Sequence, residues 1–415
     1  MAVAFVTDIE GMWDKLVDFA AGNPLLSLDV VTGALTVAPG ARFVFGGDAV
    51  DRGPWGRRVV RTLLEAKRRQ PEQVVLLAGN RDINKLRLPR ELGGQPLSRT
   101  PAEVASGPRP ELLRWIFANT MGARDAFEHR RRELAAERRA AAVEVGDEEV
   151  VDSFVADCRP GDDHAELVAA SQLAYRVGPT LFVHGGITED SLGLVPGRAP
   201  LRDVDEWVAA LNGWYREQVG LFQAGAPDVG GQPAWWPLVA YQAPLPGTRG
   251  NPQSVVYGRT TDALQNPELP PPAVIAALTA QGVRRVVVGH TPIGDCPAPV
   301  RDDGFELLFA DNSHARIAVA SQVAIDGDQL TVRARSAIDG GKVVPIVYSL
   351  STREDSPIGR RRSDSGHLVM GQVEGGDFLE FKYLEGFRTE QRMVSAQALA
   401  GVRLEPPHRG RGGVT

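Results

Sequence analysis

The sequence predicts an α/β fold, and three observations support this prediction. The first 80 residues alternate short apolar runs with segments of helical periodicity, in the order β-α-β-α-β. Beyond about residue 300 the apolar residues recur with period two, which is typical of antiparallel strands. With 415 residues, the chain has the length of one large domain that carries insertions or a small second domain.

The N-terminal elements are predicted as strand, helix, hairpin, strand, helix and strand. Their bounds are Val3–Thr7, Met12–Ala21, Leu25–Ala38, Arg42–Phe45, Arg57–Arg69 and Val74–Ala78. A polar residue follows the end of each of the three strands, namely Asp8, Asp48 and Asn80. Because ligands of open α/β sheets bind at the carboxyl ends of the strands, these three residues predict a site.

The middle of the chain is predicted to contain an insertion between about residues 86 and 175. It begins with a loop rich in Pro, Gly and Ser and is helical from about residue 110 to 142. Two further buried strands, Thr180–Val183 and Val283–Val288, end beside His184 and His290. Between them, Val204–Phe222 has helical spacing, and the segment from about 192 to 253 is predicted to form a lid.

The C-terminal third is predicted to be antiparallel. Its strands are Phe305–Ala310, Arg316–Ile325, Leu330–Ala337, Val343–Leu350, His367–Val373, Phe378–Leu384 and Arg392–Ser395. The polar segment Arg353–Ser365 is predicted to be a flexible linker or loop. We therefore expect a main domain over residues 1–350, a small β-extension over 351–405 and a disordered tail over 406–415.

Composition excludes several classes of protein. The 46 basic and 52 acidic residues give a net charge of −6, which argues against a protein that coats nucleic acid. No apolar stretch approaches the roughly 18 residues of a membrane span, and no signal peptide is expected. Two cysteines, Cys158 and Cys296, cannot build a disulfide framework. We expect a cytoplasmic protein that binds a small molecule, without nucleic acid or membrane; its oligomeric state is open.

Five sequence blocks appear at the ends of the predicted strands. They are Asp8–Gly11, Gly47–Gly53, Gly79–Asp82, Leu181–Gly186 and Val288–Pro292. In this order they resemble the Asp-x-His-Gly, Gly-Asp-x-x-Asp-Arg-Gly, Gly-Asn-His-Glu, Val-His-Gly-Gly and Gly-His-Thr blocks of the calcineurin-like metallophosphoesterases, in their phosphoprotein-phosphatase branch. The resemblance covers residues 1 to about 350.

The resemblance implies a β-sandwich flanked by helices, with two divalent metal ions at the strand ends. Such ions lie roughly 3.5–4 Å apart, polarise the substrate and activate a bridging hydroxide. Asp48 would bridge the two ions. Asp8 and Glu10 would complete the first metal site, and Asn80, His184 and His290 the second.

Two residues depart from the family pattern. Glu10 replaces a histidine, and an all-carboxylate first site suits Mg²⁺, Mn²⁺ or iron better than zinc. Arg81 replaces the histidine that is thought to protonate the leaving group in the family. Arginine is always charged and cannot act as an acid, but it can hold an oxyanion, with Asp51 as its partner. Three alternatives follow: the leaving group departs unaided, it takes a proton from another group such as Asp82, or the reaction is not phosphomonoester hydrolysis.

Further candidates are basic or lie after a strand. The resemblance implies that Arg52 and Arg259 hold phosphate oxygens, although Arg259 could equally be a surface residue. The loop Asp311–His314 comes just after a predicted strand, and two alternatives stay open for it: it lines the site, or it lies away from it.

Three hypotheses of function follow. The first is a phosphohydrolase for a small phosphorylated molecule or nucleotide, since a lid favours small substrates over phosphoproteins. The second keeps the metals but attacks carbon, as in deamination or amide hydrolysis. The third is an inactive metal-binding protein, against which the complete ligand set argues.

Overall fold

The computed structural model describes residues 1–95, 100–139, 141–248, 250–312 and 319–408. Its strands are β1 Ala2–Val6, β2 Leu26–Asp29, β3 Ala34–Val37, β4 Arg42–Phe45, β5 Val74–Leu76, β6 Ala174–Val177, β7 Thr180–Val183, β8 Asp228–Val229, β9 Gln232–Pro233, β10 Arg285–Val288, β11 Ala298–Asp302, β12 Phe305–Phe309, β13 Gln322–Asp326, β14 Gln329–Ala337, β15 Val343–Ser351, β16 Arg361–Arg362, β17 Leu368–Gln372, β18 Phe378–Tyr383, β19 Thr389–Val394 and β20 Leu404–Glu405.

The α-helices are α1 Trp13–Gly22, α2 Gly56–Arg69, α3 Asn80–Asn84, α4 Leu88–Leu92, α5 Ala102–Ala105, α6 Arg109–Thr120, α7 Ala126–Arg138, α8 Asp147–Asp157, α9 Asp163–Ala169, α10 Val204–Gln223, α11 Trp236–Tyr241, α12 Pro272–Ala280 and α13 Ala396–Ala400. Short 3₁₀ turns occupy Lys85–Arg87, Ala142–Glu144 and Glu385–Phe387. Within the described ranges, no helix combines the length and the apolar character that crossing a membrane requires.

Two mixed sheets pack face to face and confirm the predicted α/β sandwich. The first has the strand order β15-β14-β13-β1-β4-β5, and the second has β11-β12-β10-β7-β6. The ring of Phe5 from the first sheet stacks on Phe182 from the second at 5.4 Å between centroids. Helices α1 and α2 cover the outer face of the first sheet.

Strand β1 is buried on both faces because both are covered. Val3 and Phe5 point into the sandwich, whereas Ala4 and Val6 belong to the cluster formed with the two outer helices. Helix α1 contributes Leu16 to that cluster, and similar apolar residues recur at helical spacing along α2. Fully burying one such large apolar side chain contributes about 1.5–3 kcal/mol.

Parallel pairing places the important strand ends at one edge. Strands β1, β4 and β5 run parallel in the first sheet, and β7, β10 and β12 run parallel in the second. Their carboxyl ends lie together, which brings the loops after six separated strands into one place. This is the placement on which the predicted site depends.

Helices dominate the segment that we predicted to be an insertion. The stretch predicted as helical from 110 to 142 is confirmed as α6 and α7, with a break at residues 121–125. Together with α4 and α8 it encloses an apolar cluster of its own, which includes Leu88, Phe117 and Phe154. The segment 192–253 contains α10, β8, β9 and α11.

The C-terminal β-element forms a third sheet, with the order β19-β18-β17-β16-β20. The prediction of a flexible linker over Arg353–Ser365 is wrong at Arg361–Arg362, because these residues form β16 and Arg362 is paired with Glu380 at 2.9 Å. The predicted tail is also partly ordered, since the carbonyl of Pro407 accepts a hydrogen bond from the Leu269 N–H at 2.8 Å. Residues 409–415 lie outside the described residues, and the division into domains stays a prediction.

Candidate active site

Two loops lie side by side at the carboxyl ends of β1 and β4. The Asp8 N–H donates to the Gly47 carbonyl at 2.9 Å, and the Glu10 N–H donates to the Asp48 carbonyl at 3.0 Å. The Glu10 carbonyl in turn accepts from the Arg52 N–H at 2.8 Å. These bonds fix the blocks Asp8–Gly11 and Gly47–Gly53 against each other, so that their carboxylates converge.

The backbone is strained where these side chains project. Five residues of the site adopt a left-handed conformation that residues other than glycine rarely take: Asp8 at φ 51°, Glu10 at 51°, Asp48 at 57°, Asp51 at 107° and His290 at 61°. Only three other non-glycine residues of the described chain do so. Strain of this kind costs about 1–3 kcal/mol per residue and clusters at functional sites.

Glycines allow the loops to approach this closely. A Cβ atom at Gly79 would lie 2.1 Å from Asp48 Oδ1, and one at Gly53 would lie 2.4 Å from the carbonyl oxygen of Gly11. Neither distance is possible for a real side chain. Glycine is therefore required at Gly79 and Gly53, because any side chain there would collide with the neighbouring loop.

Four predicted ligands meet at what we call the imidazole end of the site. Asn80 Oδ1 lies 2.7 Å from His290 Nδ1 and 3.2 Å from His184 Nε2, which is itself 3.5 Å from Asp48 Oδ1. Ligand atoms of Asp8, Asp48 and His184 lie within 4.8 Å of one another. All of these residues except Asn80, which is partly exposed, are buried.

The donor set at the imidazole end fits a divalent cation. His184 Nδ1 lies 2.8 Å from the Gly46 carbonyl, so it carries the proton and leaves Nε2 as a lone pair. That lone pair faces Asn80 Oδ1 and Asp48 Oδ1, which accept and do not donate. Burial, followed by the charges of Arg259, His184 and Arg81, lowers the pKa of His290 well below its usual value, which favours a neutral imidazole at this position. Its Nε2 is buried without a partner among the described residues.

Carboxylates and cations form ion pairs at the opposite side of the site, around Glu10, Asp48, Asp51 and Arg81, and we call this region the carboxylate end. Arg81 Nε lies 2.9 Å from Glu10 Oε1 and 3.3 Å from Asp48 Oδ2, and Arg81 Nη1 donates to the Met121 carbonyl at 2.7 Å. Burial by itself lowers the pKa of Arg81, but Glu10, Asp48 and Asp51 offset this and raise it. The predicted contact of Arg81 with a phosphoryl oxygen stays a prediction, since its guanidinium faces the protein's own carboxylates.

Asp51 and Asp82 have partners that the sequence did not indicate. Asp51 Oδ2 is 4.0 Å from Arg81 Nη1 but makes a much closer ion pair with Lys85 Nζ. Both carboxyl oxygens of Asp82 accept backbone N–H bonds, from Asp48, Ala49 and Gly79, each at 2.9 Å. This arrangement ties the loops after β4 and β5 together and favours a positioning role for Asp82; the predicted proton transfer from it stays untested.

Two arginines border the site. Arg52 has a half-exposed side chain, with Nε 3.4 Å from Glu10 Oε1. Arg259 is partly buried, its Nε lacks a partner among the described residues, and its Nη1 makes one long contact of 3.5 Å with Gln265. Burial lowers the pKa of Arg259, and nearby Tyr257, Asp311 and Asp8 oppose this effect.

Two further buried residues lie at the carboxylate end: Lys15, which was missed, and Asp311, whose loop was left open as a possible lining of the site. Lys15 donates to the Asp8 carbonyl at 2.5 Å, and Asp311 interacts electrostatically with Asp8, Glu10 and Lys15. Asp311 follows β12, so the rule that found Asp8 and Asp48 also applies to it. No local signal marks Lys15, because an amphipathic helix is expected to expose its lysines. His314 lies outside the described residues.

The solved structures to which this chain is similar include two phosphatases and a metallophosphoesterase, all of low sequence identity. A cold-active protein-tyrosine phosphatase from a psychrophilic Shewanella species is 14% identical, with a TM-score of 0.37, over 83% of this chain and 80% of the other. A protein serine/threonine phosphatase from Saccharomyces cerevisiae is 13% identical, with a TM-score of 0.36, over 86% and 81%. A metallophosphoesterase from Sphaerobacter thermophilus is 11% identical, with a TM-score of 0.29, over 79% and 84%. No curated protein sequence matches the chain.

The sequence model of one family covers most of the chain. The model for calcineurin-like phosphoesterases matches residues 1–294, a range that contains all eleven predicted site residues, from Asp8 to His290. Membership points to a metal-dependent phosphoester hydrolase, in agreement with the candidate metal ligands Asp8, Asp48 and His184. The chain belongs to the calcineurin-like phosphoesterase family.

Proposed function

We propose that this protein is a metal-dependent phosphohydrolase that cleaves a small phosphorylated molecule with an uncharged, nucleoside-sized leaving group. The observation that carries the proposal is a cavity of about 480 Å³ that opens beside the metal ligand Asn80 and beside Tyr257. Volumes of roughly 300–1,000 Å³ are typical of small-molecule sites.

The reaction centre is assigned from the ligand geometry. Asp48, Asn80, His184 and His290 would hold metal, with Asp8 available beside them. A bound divalent ion supplies Lewis acidity toward a phosphoryl oxygen and lowers the pKa of a water nucleophile. The residues of the chain bind and orient the phosphoryl group. Arg259, whose Nε has no protein partner in the described chain, is the best placed to do so.

The chemistry of the cavity wall selects the leaving group. Its polar lining is mostly uncharged amide, from Asn84, Asn119, Gln232 and Gln242. Arg87 is the one charged residue of the lining, and its guanidinium is already engaged with Glu91 at 2.6 Å. A charged leaving group would therefore find no free counter-charge in this wall, whereas a neutral hydrogen-bonding group would find several partners.

Aromatic and helical segments complete the wall. Trp236 of α11 and Tyr257 offer ring surface to a flat or apolar group. The wall combines residues of the helical insertion with residues 232–246, which belong to the segment that we predicted to form a lid. A covered cavity accommodates a free small molecule more readily than a phosphorylated side chain on a folded protein.

A substrate panel tests the proposal. The Mn²⁺-loaded full chain is offered nucleoside monophosphates, sugar phosphates, phosphopeptides, free nucleosides and simple amides, while phosphate and ammonia are both measured. We expect phosphate release with the highest kcat/KM on nucleotides, and loss of that release in Asp48→Asn. Ammonia release from nucleosides or amides would favour attack at carbon instead. Preferential hydrolysis of phosphopeptides would contradict the assigned leaving-group site.

A matched pair of variants checks the cavity itself. Trp236→Ala removes ring surface from the wall, and Trp115→Ala removes a partly buried tryptophan of the helical insertion that does not line it. We expect the first to raise KM for nucleotides selectively and the second to leave KM unchanged. Equal effects of the two variants would show that the cavity does not receive the substrate.

A further inference from the structure

The guanidinium of Arg81 lies where a positive charge is needed between two candidate metal ligands. Its Nε is 2.9 Å from Glu10 Oε1 and 3.3 Å from Asp48 Oδ2, and the side chain is only 8% exposed. The Arg81 N–H also donates to Asp48 Oδ1 at 2.8 Å, and Nη1 is fixed on the Met121 carbonyl. An ion shared by Glu10 and Asp48 would compete with this fixed cation for the same carboxylates.

The charges around Arg81 are almost balanced before any metal is added. In the described chain, six carboxylates and five cations of this region interact with one another. The carboxylates are Asp8, Glu10, Asp48, Asp51, Asp82 and Asp311, and the cations are Lys15, Arg52, Arg81, Lys85 and Arg259. One divalent ion would turn the single excess negative charge into one excess positive charge, whereas two ions would leave three. Uncompensated buried charge is costly.

The imidazole end presents the opposite situation. His184 Nε2 and Asn80 Oδ1 lie 3.2 Å apart, and His184 Nδ1 is turned to the Gly46 carbonyl, so a cation between the two would be bound by the ring nitrogen and the amide oxygen together. The three ligand atoms that lie within 4.8 Å of one another come from Asp8, Asp48 and His184. Glu10 does not belong to that group within the described residues, and its nearest cationic atom is on Arg81.

We propose that Arg81 is a built-in cation that takes the place of one of the two metal ions. The site then binds a single divalent ion, through Asp48, Asn80, His184 and His290, while Arg81 neutralises Glu10 and Asp48. This differs from the two ions that the family resemblance implies. A ligand set with two imidazoles also admits zinc, which an all-carboxylate set disfavours.

Metal stoichiometry tests this inference. The metal-free full chain is loaded with excess Mn²⁺, freed of unbound ion and analysed for Mn per chain and for its electron paramagnetic resonance spectrum. We expect one Mn per wild-type chain, with the signal of an isolated ion. Arg81→Gln removes the charge but keeps a planar polar group; we expect it to bind two Mn that are spin-coupled. Arg52→Gln, which changes the other arginine beside Glu10, should stay at one.

Either of two results overturns the inference: two Mn in the wild-type chain, or one Mn in a folded Arg81→Gln. If circular dichroism shows that Arg81→Gln does not fold, Glu10→Gln and His290→Ala replace it. The first should keep its one ion and the second should lose it, and loss of the ion from Glu10→Gln contradicts the assignment. The inference rests on the metal-dependent site of the proposed function. The number of Mn ions per chain is measured independently of that function, because a chain with one Mn and no phosphatase activity would refute only the proposed function.

Discussion

Lys85 and Asp51 form an ion pair in the interior, directly behind the carboxylate end of the site. Lys85 Nζ contacts Asp51 Oδ2, and the two side chains are 2% and 1% exposed. Lys85 lies in the 3₁₀ turn after α3, and Asp51 lies in the strained loop after β4. The pair therefore connects the two loops that carry Asn80 and Asp48.

Removing one partner of this pair should strongly destabilise the fold. Lys85→Met leaves the Asp51 carboxylate buried beside only a distant arginine, and the free energy of unfolding should fall by about 3–5 kcal/mol. Urea denaturation of the full chain measures it. The double variant Lys85→Met/Asp51→Asn should recover much of the loss. Arg109→Met, which breaks two exposed ion pairs, with Glu148 and Asp152, should cost less than about 1 kcal/mol. Equal losses at Lys85 and Arg109 would contradict the buried pairing.

Arg259 should contribute to transition-state binding rather than to stability. Its Nε has no protein partner in the described chain, so Arg259→Ala should leave the unfolding midpoint nearly unchanged. Loss of one preorganised oxyanion donor lowers the rate by roughly 10²–10³-fold. Steady-state kinetics on a nucleotide should show that loss in Arg259→Ala and a smaller one in Arg259→Lys, which keeps the charge. Arg388→Ala, an exposed control, should behave as wild type. Unchanged kinetics in Arg259→Ala would place this arginine outside the site.

Arg81→His should change the dependence on the leaving group. General acid catalysis contributes typically 10²–10⁴-fold, and alkyl phosphates need it more than aryl phosphates do. If a histidine here can protonate the leaving group, the ratio of alkyl to aryl phosphate hydrolysis should rise at least about tenfold. Arg81→Gln separates this effect from loss of the charge, and its ratio should stay at the wild-type value. A ratio that rises equally in both variants would show that charge, and not proton transfer, is responsible.

The two cysteines should be inert in the folded protein. Burial, with a smaller effect of Asp157, raises the pKa of Cys158 to about 12, and burial raises that of Cys296 as well. At pH 8, thiol labelling of the native chain should be at least about 10³-fold slower than in denaturant, because labelling requires opening. Fast labelling of either thiol in the native chain would contradict its burial.

The raised pKa of Cys158 also predicts how the stability of the protein changes with pH. A thiol whose pKa is raised by folding stays protonated in the native state, while the unfolded thiol ionises above its ordinary value of 9.0. Its contribution to stability is complete below pH 9 and is lost as the pH rises toward about 12. Cys158→Ala should therefore show a weaker decline of stability over this range than the wild-type chain. Identical declines would assign the alkaline effect to other groups.

The convergence of the candidate metal ligands could be predicted because each follows a strand, and parallel strands bring their ends together. Asp8, Asp48 and His184 are of this kind, and the structure places their ligand atoms within 4.8 Å of one another. The partners of these ligands could not be predicted in the same way. Lys15 and Lys85 lie on helices, and their burial depends on residues from other loops that no local pattern relates to them.

The third sheet shows a similar limit. Its three longer strands, β17, β18 and β19, were predicted from period-two alternation, but Arg361–Arg362 had been assigned to a linker and Leu404–Glu405 to no strand. A strand of two arginines contains no apolar residue, so it shows no period-two alternation. These residues form a strand through long-range pairing, because β16 pairs with β17 on one side and with β20 on the other.

The position of β1 in its sheet has a consequence for folding during synthesis. This strand pairs on one side with β4 and on the other with β13, where Ala2 faces Asp326. A nascent chain emerges from the ribosome in order, so the strand that carries Asp8 must wait for more than three hundred further residues before its second neighbour exists. During that interval one edge of an apolar strand is unpaired, and such edges invite aggregation. The candidate ligands that meet at the strand ends run from Asp8 to His290, so the site cannot assemble before the chain has been synthesised at least as far as His290.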